Sequence, residues 1–266
     1  MELVIAISIA AVFVAFVGMF MTVPVNAYMS QSRRAELLDS AGAAWPRLER
    51  DLHAALPNSV RRSQNGSFKA LEMLAVVDSA RYMTPPAAPA INTAGVFRGI
   101  PHPFGPTAAG TYYVSINNLG TPGADAYELA NAMTPANRSI TIVSSAVAGE
   151  DVLSISPPYS FGADSPRHRA YLVSGPVTFL CDESQGTLRR YTGYSIAANQ
   201  SSRNTPTALN GAGASNVLLA RNISFCDFAL TAGTADHGQI VTMRITASSG
   251  GESATMLHQA EVEKLQ

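Results

Sequence analysis

Charge is what this sequence has least of. Asp, Glu, Lys and Arg make up 14% of the 266 residues, against roughly 25% in an ordinary soluble domain. Lysine is nearly missing: of 18 basic residues, only Lys69 and Lys264 are lysines. With a formal net charge of −1 and no basic patch or stripe, the chain lacks what phosphate neutralisation needs, which argues against a nucleic-acid partner. Catalytic and metal motifs are lacking too. His53, His102, His168, His237 and His258 are scattered, with no HxH, HExxH or HxxxH spacing. There is no GxSxG elbow, P-loop or GxGxxG. Asp125, Asp151, Asp164 and Asp227 are too dispersed for a calcium loop. Asp164-Ser165-Pro166-Arg167-His168 gathers Ser, Asp and His in sequence, but its proline-containing stretch reads as surface loop. His258, within a strand segment, reads as a satisfied structural histidine. The expectation is a non-enzymatic chain without cofactor, metal centre or catalytic residues.

The apolar residues are unevenly spread. After Glu2 no charge occurs before Arg33, and residues 3–23 are apolar except Ser8, Gly18 and Thr22. As a helix these residues reach about 32 Å, enough for a hydrocarbon core of about 30 Å. A cleaved signal peptide would want a basic start and a shorter core, whereas here a carboxylate leads and Arg33–Arg34 follow. The expectation is a membrane-crossing helix. Arg33 and Arg34 just beyond it would place the body in the cytoplasm, unless basic residues lie upstream of Met1.

Residues 25–57 predict a continuing amphipathic helix. Leu37, Leu38, Ala41, Trp45, Leu48, Leu52 and Leu56 recur near every third or fourth position. Pro46 would cost ~3 kcal/mol inside a regular helix, so a bend or break is expected at residues 43–45. Pro24 predicts a kink, and the residue before Pro57 avoids helical geometry, ending the element. Strand-like composition marks residues 71–77, 111–116, 140–143, 152–155, 177–180, 187–191, 217–220, 223–230, 239–247 and 254–263. Ser248-Ser249-Gly250-Gly251 signals a hairpin between the last two. Residues 84–110, rich in Pro, Ala and Gly, read as a long loop. Cys181 and Cys226, without CxxC spacing or flanking histidines, do not make a zinc site. In an exported domain they would be a disulfide; otherwise they are two buried thiols.

Met1-Glu2-Leu3-Val4-Ile5-Ala6-Ile7 resembles the end of a type IV prepilin N-terminal motif, with Glu2 at that family's glutamate. The basic leader, the cleavage-site glycine and the phenylalanine to be methylated are missing, and the expectation is a start lying upstream. Further segments resemble the MSHA biogenesis (MshO-like) minor pilins. They include Arg33-Arg34-Ala35-Glu36-Leu37, Ala55-Leu56-Pro57-Asn58-Ser59-Val60-Arg61, Gly175-Pro176-Val177-Thr178 through Cys181-Asp182, and Gly238-Gln239-Ile240-Val241-Thr242.

The resemblance implies an α+β pilin-like fold, a long transmembrane then amphipathic helix packed on an antiparallel sheet. Residues 1–24 would be the transmembrane half, 25–57 the amphipathic half, and 58–266 a β-rich periplasmic domain with its loop at 84–110. It implies a single-pass inner-membrane subunit with its C-terminal domain in the periplasm, incorporated into or priming a pilus filament. Its partners would be other pilin or pseudopilin subunits, the inner-membrane assembly platform, prepilin peptidase and the lipid bilayer. Glu2 would serve subunit assembly, pairing with the N-terminal amine of a processed neighbour. Alternatives are a type II secretion minor pseudopilin and a membrane-anchored periplasmic binding domain outside any filament.

Overall fold

The computed structural model describes residues 2–82, 96–100, 111–144, 151–233 and 238–262. Two helices open the chain, α1 (Glu2–Gly42) and α2 (Trp45–His53). Twelve strands follow among the described residues. They are β1 (Arg61–Asn65), β2 (Phe68–Tyr82), β3 (Val96–Ile100), β4 (Tyr113–Ser115), β5 (Ser139–Ser144) and β6 (Asp151–Ser156). After these come β7 (Arg169–Asp182), β8 (Thr187–Thr192), β9 (Ser215–Arg221), β10 (Ile223–Thr231), β11 (Ile240–Ser249) and β12 (Glu252–Glu261). A short helix α3 (Pro206–Gly211), capped by the Thr205 hydroxyl, precedes β9.

All pairings are antiparallel, in two sheets. Nine strands form one sheet in the order β5-β6-β3-β2-β7-β8-β9, with β1 added on β2 and β4 on β7. The other sheet is β10-β11-β12. Its last hairpin closes with Ser249 opposite Glu252. Gly250 and Gly251 sit at φ 57° and 82°, the left-handed pair that a two-residue turn needs to match strand twist. The long β2–β7 pairing changes register at Ala75, opposite Gly175, whose φ of 138° is open to few residues other than glycine.

The main core lies where the two sheets and the foot of the helical segment meet. Leu71, Met73 and Phe179 enter it from the nine-stranded sheet, Phe228, Met243 and Ile245 from the smaller one. Leu37 and Ala41 of α1 and Leu48 and Leu52 of α2 fill the space between. α1 ends at Gly42 and α2 begins with Trp45-Pro46, so the chain breaks where the proline would otherwise face a carbonyl one turn back. In its first turn the proline costs no hydrogen bond.

Three expectations need correction. The first is the fold class, an α+β pilin-like fold with a long transmembrane–amphipathic helix lying on an antiparallel sheet. Strand accounts for 42% of the described residues and helix for 27%, and the frame is two antiparallel sheets. β-branched segments far apart in sequence pair with one another, while α1 meets the body only through its last turns. The second is the inner-membrane, single-pass placement with a periplasmic C-terminal domain. No helix is long and apolar enough to cross a membrane among the described residues. The third is the loop at 84–110: β3 lies inside it and pairs with β2 and β6, and its other residues fall outside the described ones.

Candidate assembly surface

Along α1, every described side chain from Glu2 to Met29 is exposed. Leu3, Ile5, Val12, Phe13, Phe16 and Phe20 are each more than half exposed. Ser8 and Ser30 turn their hydroxyls back onto the helix, donating to the carbonyls of Val4 and Ala27 at 2.7 and 2.9 Å. The apolar residues surround the helix rather than forming one stripe. A helix apolar all round is stable when something covers it, and nothing among the described residues covers the described side chains of this one.

The opposite end is anchored. Arg34 donates to Glu252 on β12 at 2.7 Å. The Trp45 ring stacks on His258 of the same strand, with centroids 4.8 Å apart. Arg190 of β8 donates to Asp51 of α2 at 2.5 Å, and both side chains are largely buried. The helical segment is thereby tied to each sheet by an ion pair or ring contact over a shared apolar base. Between α1 and β9 runs a groove of about 510 Å³, with Arg33, Glu36 and Ser40 on one wall and Leu218, Arg221 and Asn222 on the other.

The residues singled out from sequence fall in different places. Glu2 lies exposed in the first turn of α1. Cys181 on β7 and Cys226 on β10 form a disulfide that joins the two sheets inside the main core. His258 stacks on Trp45, but its buried Nε2 has no hydrogen-bond partner among the described residues. It is therefore packed rather than satisfied. Asp164, Ser165 and His168 do come together, but as a turn. Tyr82 donates to the Asp164 carboxylate, the Ser165 amide donates to the Tyr82 hydroxyl at 3.0 Å, and His168 Nδ1 stands 3.9 Å from Asp164. The Ser165 hydroxyl accepts from the Arg169 amide at 3.2 Å, which ties it to the backbone. Burial, helped by the Asp164 hydrogen bond, holds the Tyr82 phenol well above its usual range. His102 and His237 lie outside the described residues. No group of three His, Cys, Asp or Glu side chains fit to hold a metal ion occurs among the described residues.

Sequence reasoning missed a buried polar cluster. Glu72, on β2, is fully buried. Arg61 Nε donates to its Oε2 at 3.0 Å and the Tyr194 hydroxyl to its Oε1 at 3.2 Å. Arg61 also donates to the carbonyls of Ala197 and Ala198 at 2.6 and 2.7 Å and lies 3.4 Å from the Tyr127 ring centroid. Burial raises the Glu72 carboxyl above the usual carboxylate value, with Arg61 opposing it. Desolvation, with Glu72 nearby, likewise raises the Tyr194 and Tyr127 phenols. The cluster holds the stretch after β8 against the sheet. Its one signal in the sequence is a lone carboxylate in the apolar run Leu71-Glu72-Met73-Leu74.

Compared with protein-family models, with curated proteins and with solved structures, the chain matches none.

Proposed function

We propose that this chain is a minor pilin-like structural and assembly subunit of a type IV, MSHA-type pilus. The observation that carries the reading is α1: a long helix whose foot, at Leu37 and Ala41, enters the core while its described side chains from Glu2 to Met29 stay exposed. An uncovered apolar surface of that extent marks an association site, and a helical one suits packing against the helices of other subunits. The prepilin-like residues at its start, with Glu2 among them, support the same reading. So does the Cys181–Cys226 disulfide, which fits an exported protein. In the filament Glu2 pairs with the N-terminal amine of a neighbouring processed subunit, since a carboxylate enclosed among apolar helices is costly unless paired.

Two measurements on the native organism's cells test this. The chain is expected in sheared filaments, its first peptide beginning with a methylated phenylalanine a few residues upstream of Glu2. Both are expected to vanish without prepilin peptidase. Absence from filaments, with Met1 retained whether or not the peptidase is present, overturns the reading. Glu2→Ala is expected to lower incorporation several-fold with the β body intact, and unchanged incorporation removes the pairing role.

A further inference from the structure

The exposed stretch of α1 carries charge only at its ends. Glu2 stands in the first turn, and no Asp, Glu, Lys or Arg occurs again before Arg33. Arg34 is committed to Glu252, whereas neither Glu2 nor Arg33 makes an ion pair among the described residues. The stem of Arg33 lies against the β11–β12 turn, its Cδ 3.5 Å from where a Cβ on Gly250 would be.

These end charges choose an orientation for two copies meeting along their apolar helices. Parallel and in register, Glu2 faces Glu2 and Arg33 faces Arg33, and the helix dipoles point the same way. Parallel with a full-length stagger of about 46 Å, the opposite charges meet but the apolar stretches no longer overlap. Antiparallel, each Glu2 meets an Arg33, the apolar stretches overlap throughout and the dipoles oppose. Setting Glu2 opposite Arg33 also sets Ser8 opposite Ala27, with the two-fold axis between Val17 and Gly18. The incoming first turn has room, because the groove of about 510 Å³ between α1 and β9 opens beside Arg33. Arg221 on the far wall of that groove adds a second cation near the incoming carboxylate.

We propose that free copies of this chain pair through α1 as an antiparallel two-fold dimer, Glu2 of each copy against Arg33 of the other. The contact is isologous, so it closes at two copies and does not propagate. It rests on the surface of α1 and its end charges, not on the filament reading. It uses the same apolar surface and the same Glu2, so dimer and filament contacts exclude each other at that helix.

The test uses the purified full chain. Because Cys181 and Cys226 are bonded to each other and no other cysteine is present, introduced cysteines supply the only free thiols. Ser8→Cys and Ala27→Cys chains are mixed and treated with a mild oxidant, and sedimentation across a concentration series gives the mass. The expected result is a concentration-dependent dimer with cross-links between positions 8 and 27 and none between two copies of position 8. An 8-to-8 cross-link, a monomer at every concentration or an assembly larger than two overturns the proposal. Glu2→Arg is expected to weaken the dimer about tenfold, and adding Arg33→Glu to restore it. Equal affinity in all three overturns the Glu2–Arg33 pairing. Since this readout involves no filament, its failure leaves the filament reading standing, and the reverse also holds.

Discussion

The two ends of α1 are the same helix under opposite conditions. From Glu2 to Met29 its described side chains meet solvent, while at Leu37 and Ala41 it is buried as deeply as any strand of the core. Apolar residues alone do not distinguish the ends, since the exposed end is the more apolar. The difference is geometric: the foot has a sheet on either side, and the exposed end has none. Hydrophobic residues therefore carry fold information here only where a long-range partner surface exists.

Breaking the comparison at its most constrained point should have the largest effect. Replacing Cys181 and Cys226 by serine removes a link between segments 45 positions apart, which loop entropy values at about 4 kcal/mol. The loss is expected as a lower midpoint in denaturant unfolding. Next, Leu52→Ala, at a position with no exposed surface, should cost about 3 kcal/mol. Ile9→Ala on the exposed end, at 62% exposure, should stay within about 0.5 kcal/mol in the monomer. Equal losses at the two positions would show the ends to be packed alike.

Glu72 sharpens the comparison through pH. Its folded-state carboxyl titrates above the ordinary value of 4.5, so the folded chain holds that proton more firmly than the unfolded one. The stability it contributes is full below about 4.5 and is lost as pH rises through the raised folded value. Glu72→Gln should flatten that slope in unfolding measured over the acidic range, with no change in the pH response of α1. The smallest effect belongs to Arg34→Ala. Its pairing with Glu252 is 63% exposed on the arginine side and screened by solvent, so the expected loss is below about 0.5 kcal/mol. It should also vanish at high salt.

Much of the frame was legible. Each of the ten segments of strand-like composition overlaps an observed strand, because β-branched residues with turn signals between them have few alternatives. The break beside Pro46 and the turn at Gly250-Gly251 follow from local chemistry and were equally readable. β1 was not, since Arg-Arg-Ser-Gln-Asn has no strand signature and becomes a strand only by pairing with β2. Nor was β3, set in a stretch rich in proline and glycine. The periodic face of the helical segment was read nearly correctly, but Leu38 is 42% exposed, and Leu56 leaves the helical cluster to pack with Tyr127 and Tyr171. The Glu72 cluster stayed hidden because Arg61 and Tyr194 lie 11 and 122 positions away, and no local pattern announces such partners. The length of the apolar run suggested a span; its described side chains are exposed, and no helix long and apolar enough to cross a membrane occurs among the described residues.

The disulfide has a mechanical meaning as well. A pull along α1 enters the body at its foot, where β12 receives it through Glu252 and His258. Load then spreads across the β10–β11–β12 sheet, whose backbone bonds share it in shear. From β10 it can cross to the nine-stranded sheet by a covalent bond, Cys226 to Cys181, landing on β7 beside β2. The Asp51–Arg190 contact offers a parallel, weaker route through α2 to β8. Reduction would leave the backbone at Asn222, between β9 and β10, as the short covalent link from the small sheet to the large one, so under tension the load should shift to that edge strand and peel β9 from β8 first.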